Sequence, residues 1–348
     1  MDKLRVGVIG LGMGRGHAKR YKEHANVDLV ALADLNEALL RERAAEFGVS
    51  QTYTNAEEML AKEKLDIVSI ATPNPFHKPL TIQALEAGCH VLCEKPMAMN
   101  AGEARDMIAA AKKAKRRLMI NFSTRFNPAS WAMKKEVESG TIGDIYYART
   151  VWLRRRGIPK FGGWFGQKDL AGGGPLIDLG VHRLDLALWV MGYPKPVWVM
   201  GSAYDRLAAP LAKAQGKAYD VEDFAVALIK FDNGSTVGLE ASWAGHIRQD
   251  ELIETRILGD KGGMLHTSVS EAEPYKWGLE VYADRHGFHY DMKARDAVEP
   301  VPSAMTHLVD CVLTKRPHMA AGEEGLIVQE LLDAIYESAA KNKPIAIK

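Results

Sequence analysis

Four short segments of the chain hold residue types that can do chemistry. The first is Asp178-Leu179-Gly180-Val181-His182. An aspartate and a histidine four apart share one face of a helix. The carboxylate then orients the imidazole and stabilises its protonated form, which suits a general base near neutral pH. Asp185 is a rival partner for the same histidine. Gly172-Gly173-Gly174, just upstream, would let such a helix start against a ligand. The second segment, Glu94-Lys95-Pro96, follows a short apolar run. The third is Thr72-Pro73-Asn74-Pro75-Phe76-His77, turn chemistry after another apolar run. The fourth is Gly10-Leu11-Gly12-Met13-Gly14-Arg15-Gly16, directly after the first apolar run.

The glycines of that fourth segment allow a sharp turn and a close backbone approach to a pyrophosphate at the next helix N-terminus. The spacing departs from GxGxxG, because Arg15 stands where the third glycine belongs. Asp34 compensates for the irregularity. It ends the second apolar run, 22 residues after Gly12, where an acid would hold a ribose 2′-hydroxyl. A carboxylate there repels the 2′-phosphate of NADP, so NAD is the expected cofactor and NADP the less favoured one. A lysine at a strand end beside a cationic nicotinamide ring has its pKa depressed toward use in proton transfer, which marks Lys95. His90 and Cys93 have a metal-like spacing. They lie on a predicted strand with no third or fourth ligand nearby, so no metal site is expected.

These segments need elements to position them. Apolar strands are predicted near residues 5–10, 27–33, 65–71, 90–93 and 118–122, with helices over 36–47 and 101–115 between them. Continuous apolar strands alternating with helices imply parallel βαβ units, and in such sheets ligands bind beyond the strand C-termini. All four segments except Asp178–His182 fall at that edge. After about residue 121 the runs lengthen and gain aromatic and β-branched residues: 146–153, 221–231, 235–243 and 254–258. Asn233-Gly234 predicts a hairpin and Asp260-Lys261-Gly262-Gly263 a second turn. A last helix is predicted over 325–340. The fold class is therefore α/β: an N-terminal parallel sheet of Rossmann type over residues 1–123. A C-terminal α+β domain over 124–348 carries a large open, mostly antiparallel sheet.

The 348 residues suit two domains. Forty-five basic against 44 acidic residues give a net charge of +1, which argues against a nucleic-acid or anionic-lipid coat. Three scattered cysteines fit a reducing cytoplasm. The N-terminus lacks a signal-peptide pattern and no apolar stretch is long enough to span a membrane.

Through VGVIGLG, TPNPFH, GCHVLCEKP, RFNP, GTIGDI, GGGPLIDLGVHRLD, FDNGS and LGDKGG, the whole chain resembles the Gfo/Idh/MocA oxidoreductases. The resemblance implies an NAD-dependent dehydrogenase acting on a secondary hydroxyl of a cyclic polyol or sugar, with Lys95, Asp178 and His182 catalytic. It places Gly10, Leu11, Gly12, Met13, Gly14, Asp34, Thr72, Asn74, His77, Glu94 and Lys95 at the cofactor. It also implies a homodimer or homotetramer paired through the second domain's sheet. Substrate contacts are expected from Lys95, Arg125, Arg154, Trp164, Asp178 and His182. Arg154, Arg155 and Arg156 would match an anionic group, or else at least two of them point to solvent or a subunit partner. A dihydrodiol- or biliverdin-type reductase and a non-catalytic NAD-binding regulator are the alternative functions.

Overall fold

The protein is described from a computed structural model covering residues 3–270, 272–295 and 297–347. Two compact units form. One is Met1–Phe122 with Pro302–Gln329, the other Ser123–Val301 with Glu330–Lys348.

The first unit alternates β1 (Leu4–Ile9), α1 (Gly14–Glu23), β2 (Val27–Ala33), α2 (Glu37–Phe47), β3 (Gln51–Tyr53) and α3 (Ala56–Lys62). It continues with β4 (Ile67–Ile70), α4 (His77–Glu86), β5 (His90–Cys93), α5 (Ala101–Ala114) and β6 (Leu118–Ile120). The six strands pair in parallel in the order β3-β2-β1-β4-β5-β6. The central strands are apolar on both faces: Val6, Val8, Ile67, Val68, Ile70, Val91 and Leu92 are fully buried. That explains their unbroken hydrophobic runs. Asn36, Asn55 and Asn100 side chains accept backbone N–H groups at the starts of α2, α3 and α5. Gly48 ends α2 at φ 66°. The chain runs from β1 outward to β3 and then returns to β4 on β1's other side. This topological switch opens a crevice beyond the ends of β1 and β4.

The second unit begins with α6 (Pro128–Glu138), β7 (Ile145–Arg154), α7 (Lys168–Ala171), α8 (Val181–Met191), β8 (Pro196–Tyr204) and α9 (Ala208–Ala214). It adds β9 (Phe224–Phe231), β10 (Thr236–Ser242), β11 (Glu251–Gly259), β12 (Gly262–Ser270), β13 (Glu273–Arg285) and β14 (Phe288–Ala294). The chain closes with α10 (Ala304–Thr314), which packs on α1, then α11 (Gly322–Lys341) and β15 (Ile345–Ala346). The expected C-terminal helix lies inside α11. The nine-stranded sheet has the order β14-β13-β12-β11-β7-β10-β9-β8-β15 and is antiparallel except for the parallel pair β7–β10. Asn233-Gly234 makes the expected β9–β10 hairpin. Gly234 has φ 85°, and Asn233 Oδ1 accepts from Ser235 N. Helix α8 covers β7 and β10, and α6 covers β12 and β13. The other face carries Tyr147, Met200, Val226 and Leu228 beside the ion pairs of Arg149 with Glu240 and Glu254.

Among the described residues, no helix is long and apolar enough to cross a membrane, and all three cysteines are free.

Gly10 is the tightest point of the first sheet's edge. It has φ 85°, and a Cβ there would lie 2.5 Å from Ala71 O. Gly16 has nothing within 4 Å of its hypothetical Cβ. Gly10→Ala should therefore cost about 2–4 kcal/mol of stability. Gly16→Ala should change it by less than about 1 kcal/mol. Denaturant midpoints check both, and an unshifted Gly10→Ala midpoint contradicts the close approach.

Candidate active site

In the first unit, the turn after β1 fits a dinucleotide. Helix α1 starts at Gly14 with no side-chain cap and no acid in its first turn, so its N-terminal N–H groups are left for an anion. Gly12 presents open space where a side chain would intrude. Leu11 is buried, and its N–H donates to Asp34 Oδ2 at 2.7 Å. Asp34 Oδ1 accepts from Asn36 N at 2.8 Å. Asp34 thus ties the glycine turn to the end of β2, while Met13 is 72% exposed on the loop. Thr72 Oγ1, just beyond β4, is buried with no hydrogen-bond partner. That orphaned hydroxyl lies at the crevice edge where a cofactor amide or hydroxyl could satisfy it.

Three of the residues expected at the cofactor, His77, Glu94 and Asn74, are buried. His77 is fully buried. Its Nδ1 lies 2.8 Å from Pro96 O and its Nε2 2.9 Å from Thr72 O, so the ring pins the turn after β4 to the turn after β5. Burial holds its pKa below the ordinary value, although both carbonyls favour the charged ring. Glu94 is buried as well. Its Oε1 meets His17 Nε2 at 2.8 Å and accepts from Asn121 Nδ2 at 2.6 Å, and its Oε2 accepts from Lys95 N at 3.2 Å. Burial alone would raise its pKa, but His17, Asn121 and the Lys95 charge outweigh it and hold the carboxyl at about 2.

In the second unit, Asp178 and His182 follow a different helical geometry from the regular turn the spacing suggests. Residues Leu176–Gly180 form a π-helical turn, and Val181 N donates to Leu176 O before α8 begins. Such turns are uncommon and gather at functional sites. Asp178 Oδ2 accepts from Trp243 Nε1 at 3.0 Å. Trp243 is fully buried in a cluster with Trp152, Leu179, Val221 and Ile253. His182 lies beside Trp152, ring centroids 5.8 Å apart. Both Asp178 and His182 are partly exposed.

The glycine run ahead of them answers to packing inside the unit. A Cβ on Gly173 would lie 1.9 Å from Tyr336 Oη, and one on Gly174 2.1 Å from Glu222 O. Gly174 N and Leu176 N donate to the two Glu222 oxygens at 2.9 and 3.0 Å, and Tyr336 donates to Glu222 Oε1 at 2.9 Å. Burial raises the Glu222 pKa against these donors. Glu222, Tyr336 and Trp243 carried no sequence signal, since they lie 42 or more residues from the turn they hold.

Two expected substrate contacts change meaning. Arg125 and Asp185 are both fully buried. Arg125 Nε and Nη2 donate to Asp185 at 2.9 and 2.5 Å, and Tyr193 joins the pair. The arginine expected to touch substrate is sealed by this fork, and Asp185 is taken up by Arg125. Arg154 donates to Glu251 Oε1 at 2.7 Å and lies over Trp152. Burial lowers its pKa, but Glu251 more than offsets that, and the charges of Tyr275 and Asp178 add to the rise. Arg155 and Arg156 are exposed. Trp164 is half-buried and stacks on Phe165, centroids 3.9 Å apart.

Removing the charge from the Arg125 fork leaves Asp185 uncompensated in the interior. Arg125→Met should lower stability by about 3–5 kcal/mol. A denaturation midpoint within error of the unaltered protein would contradict the sealed ion pair.

Comparison with known proteins agrees with both units. Residues 4–122 match the oxidoreductase family with an NAD-binding Rossmann fold, and residues 134–347 match its C-terminal alpha/beta domain. D-glucoside 3-dehydrogenase of Escherichia coli is 33% identical over 345 residues, covering 97% of this chain and 95% of that protein. Myo-inositol 2-dehydrogenase of Thermotoga maritima is 31% identical over 270 residues, covering 77% and 76%. Levoglucosan dehydrogenase in complex with NADH and L-sorbose superposes with a TM-score of 0.87 at 26% identity, over all of both chains. The uncapped glycine turn, the Glu94-Lys95-Pro96 strand end and the Asp178–His182 turn thus belong to a chain that is a member of the Gfo/Idh/MocA oxidoreductase family.

Proposed function

We propose that this oxidoreductase oxidises, reversibly, a secondary hydroxyl of a cyclic polyol or sugar, with NAD as the hydride acceptor. The observation that carries the reading is the Asp178–His182 turn, held from behind by the buried Trp243 indole. A carboxylate and an imidazole carried on one turn are the pair that a general base for hydroxyl oxidation requires. The matches to a glucoside dehydrogenase and an inositol dehydrogenase support the substrate class.

The glycine turn and the uncapped start of α1 would hold the cofactor's pyrophosphate, Asp34 its ribose and Thr72 a polar group further along. When bound, NAD supplies the acceptor carbon for the hydride. His182 takes the hydroxyl proton. Asp178 orients the ring and stabilises its charge once protonated, and Trp243 keeps the carboxylate aimed. Lys95 donates a hydrogen bond to the same hydroxyl oxygen and stabilises negative charge as it develops. The aromatic side chain of Trp164 and the charge of Arg154 suit a sugar face and its hydroxyls.

The preference for NAD over NADP rests on Asp34. The nearest following cation, Arg41, is engaged with Glu37 at 3.2 Å. NAD should therefore bind more tightly than NADP, and Asp34→Ala should narrow the gap. Titration of both cofactors checks this, and equal or tighter NADP binding by the unaltered protein refutes it.

Assembly follows from the second sheet. One face packs on α6 and α8, and the other leaves Leu228 43% and Met200 38% exposed on adjacent strands. A second copy covering this face gives a homodimer or homotetramer. Light scattering of a monomer at micromolar concentration would contradict it.

The catalytic roles separate kinetically. With methyl glucoside and myo-inositol as probes, His182→Ala and Lys95→Ala should each lower kcat about 100-fold or more. The His182→Ala loss should shrink at high pH, where the hydroxyl proton leaves more readily to solvent. Asp178→Asn acts through His182, so the double variant should be far less than additively impaired. A His182→Ala enzyme with near-normal turnover removes the proposed base.

A further inference from the structure

The first unit contains a hydrogen-bonded chain that the reaction as described does not use. Tyr21 Oη lies 3.1 Å from Ser69 Oγ, Ser69 Oγ lies 3.1 Å from His17 Nδ1, and His17 Nε2 lies 2.8 Å from Glu94 Oε1. Tyr21 and Ser69 are fully buried, and His17 is 3% exposed. The donors and acceptors of this chain can be satisfied in one direction with a single proton on the ring. Tyr21 donates to Ser69, Ser69 to His17 Nδ1, and His17 Nε2–H to the carboxylate. Asn121 Nδ2 and Lys95 N add donors from two other sides. Every dipole of the network points at Glu94, which keeps a buried carboxylate ionised immediately beside Lys95.

His17 is the only member of this network on the helix that follows the glycine turn and also in contact with Glu94. Helix α1 begins at Gly14, so His17 lies within one turn of the N–H groups proposed to meet pyrophosphate. We propose that His17 is a positioning residue for Lys95. Through Glu94 it fixes the Lys95 backbone and supplies the lysine's counter-charge, linking the helix that carries the cofactor to the group that stabilises the reacting oxygen. The proposal rests on the reading that Lys95 acts on the substrate hydroxyl. It adds a residue 78 positions upstream that reaches Lys95 through a buried carboxylate.

A purely structural His17 would lower stability and leave the turnover of the folded enzyme alone. A positioning His17 shifts kcat without shifting binding. His17→Leu removes the donor, and His17→Gln keeps an N–H to offer to Glu94. His17→Leu should bind NAD and methyl glucoside within about 3-fold of the unaltered enzyme while kcat falls about 10- to 100-fold. His17→Gln should recover kcat to within about 5-fold. Amide hydrogen exchange of the segment containing Lys95 should accelerate in His17→Leu, while the β1 and β4 amides stay protected. This exchange readout needs no catalysis, so it tests the positioning even if Lys95→Met turns over normally and the role of Lys95 in the chemistry falls. Unchanged kcat and exchange in His17→Leu would overturn the proposal, as would a loss confined to KM or NAD affinity. A glutamine variant no better than leucine would do the same. If His17→Leu does not fold, Ser69→Ala removes the donor behind the ring and leaves the buried Tyr21 hydroxyl without its acceptor. It should lower kcat several-fold, assayed below its melting transition, and full activity there also overturns the proposal.

Discussion

A carboxylate can be kept ionised inside a protein only if donors converge on it, and the first unit is arranged around that requirement at Glu94. Four elements contribute. Helix α1 brings His17, β4 brings Ser69 behind it, β5 ends one residue before the glutamate, and the chain beyond β6 brings Asn121. An unpaired buried carboxylate would take up a proton or disrupt the fold. With its donors in place the group stays ionised down to about pH 2. The lysine that follows it therefore leaves the sheet from a fixed point. His77 reinforces the same place by joining the turns after β4 and β5.

The second unit also anchors its backbone on a buried carboxylate, but with the opposite balance: burial outweighs the donors at Glu222 and raises its pKa. Glu222 is buried, and its oxygens take the N–H groups of Gly174 and Leu176 at the start of the π-helical turn. Gly173 and Gly174 are glycines because Tyr336 and the Glu222 backbone occupy the space that side chains would need. Trp243 then holds Asp178 from the other side. In each unit a buried carboxylate anchors the backbone next to a side chain with a proposed catalytic role, Lys95 in the first and Asp178 and His182 in the second, and those side chains stay partly exposed. Rigidity is concentrated one residue or one turn away from the proposed catalytic groups, which leaves them accessible to small molecules.

Sequence reasoning reaches the parts of this design that are local. The glycine turn after β1, Asp34 just beyond β2 and the Asn233-Gly234 hairpin are short-range patterns, and each stands where the pattern put it. The long-range partners had no such signal. His17 and Glu94 are 77 residues apart, Arg125 and Asp185 are 60 apart, and Trp243 is 65 residues beyond Asp178. Arg125 therefore read as a substrate contact when it is half of a buried ion pair. The π-helical turn was also hidden, because spacing alone assumes a regular helix. Strands β13 and β14 escaped notice because they lie at the sheet edge, where exposed Tyr275, Phe288 and Tyr290 alternate with charges and the apolar period weakens.

In the reaction proposed for this enzyme, a carbon-bound hydride of a sugar or polyol passes directly to NAD. The most direct test is isotopic. The enzyme is incubated with NAD and methyl glucoside carrying deuterium at every ring carbon, and the reduced cofactor is analysed by mass. Direct transfer predicts reduced NAD one mass unit heavier than that formed from unlabelled glucoside, together with a slower turnover of the deuterated sugar where hydride transfer limits the rate. Reduced cofactor without the label would contradict the account, as would an oxidised sugar product with no reduced cofactor.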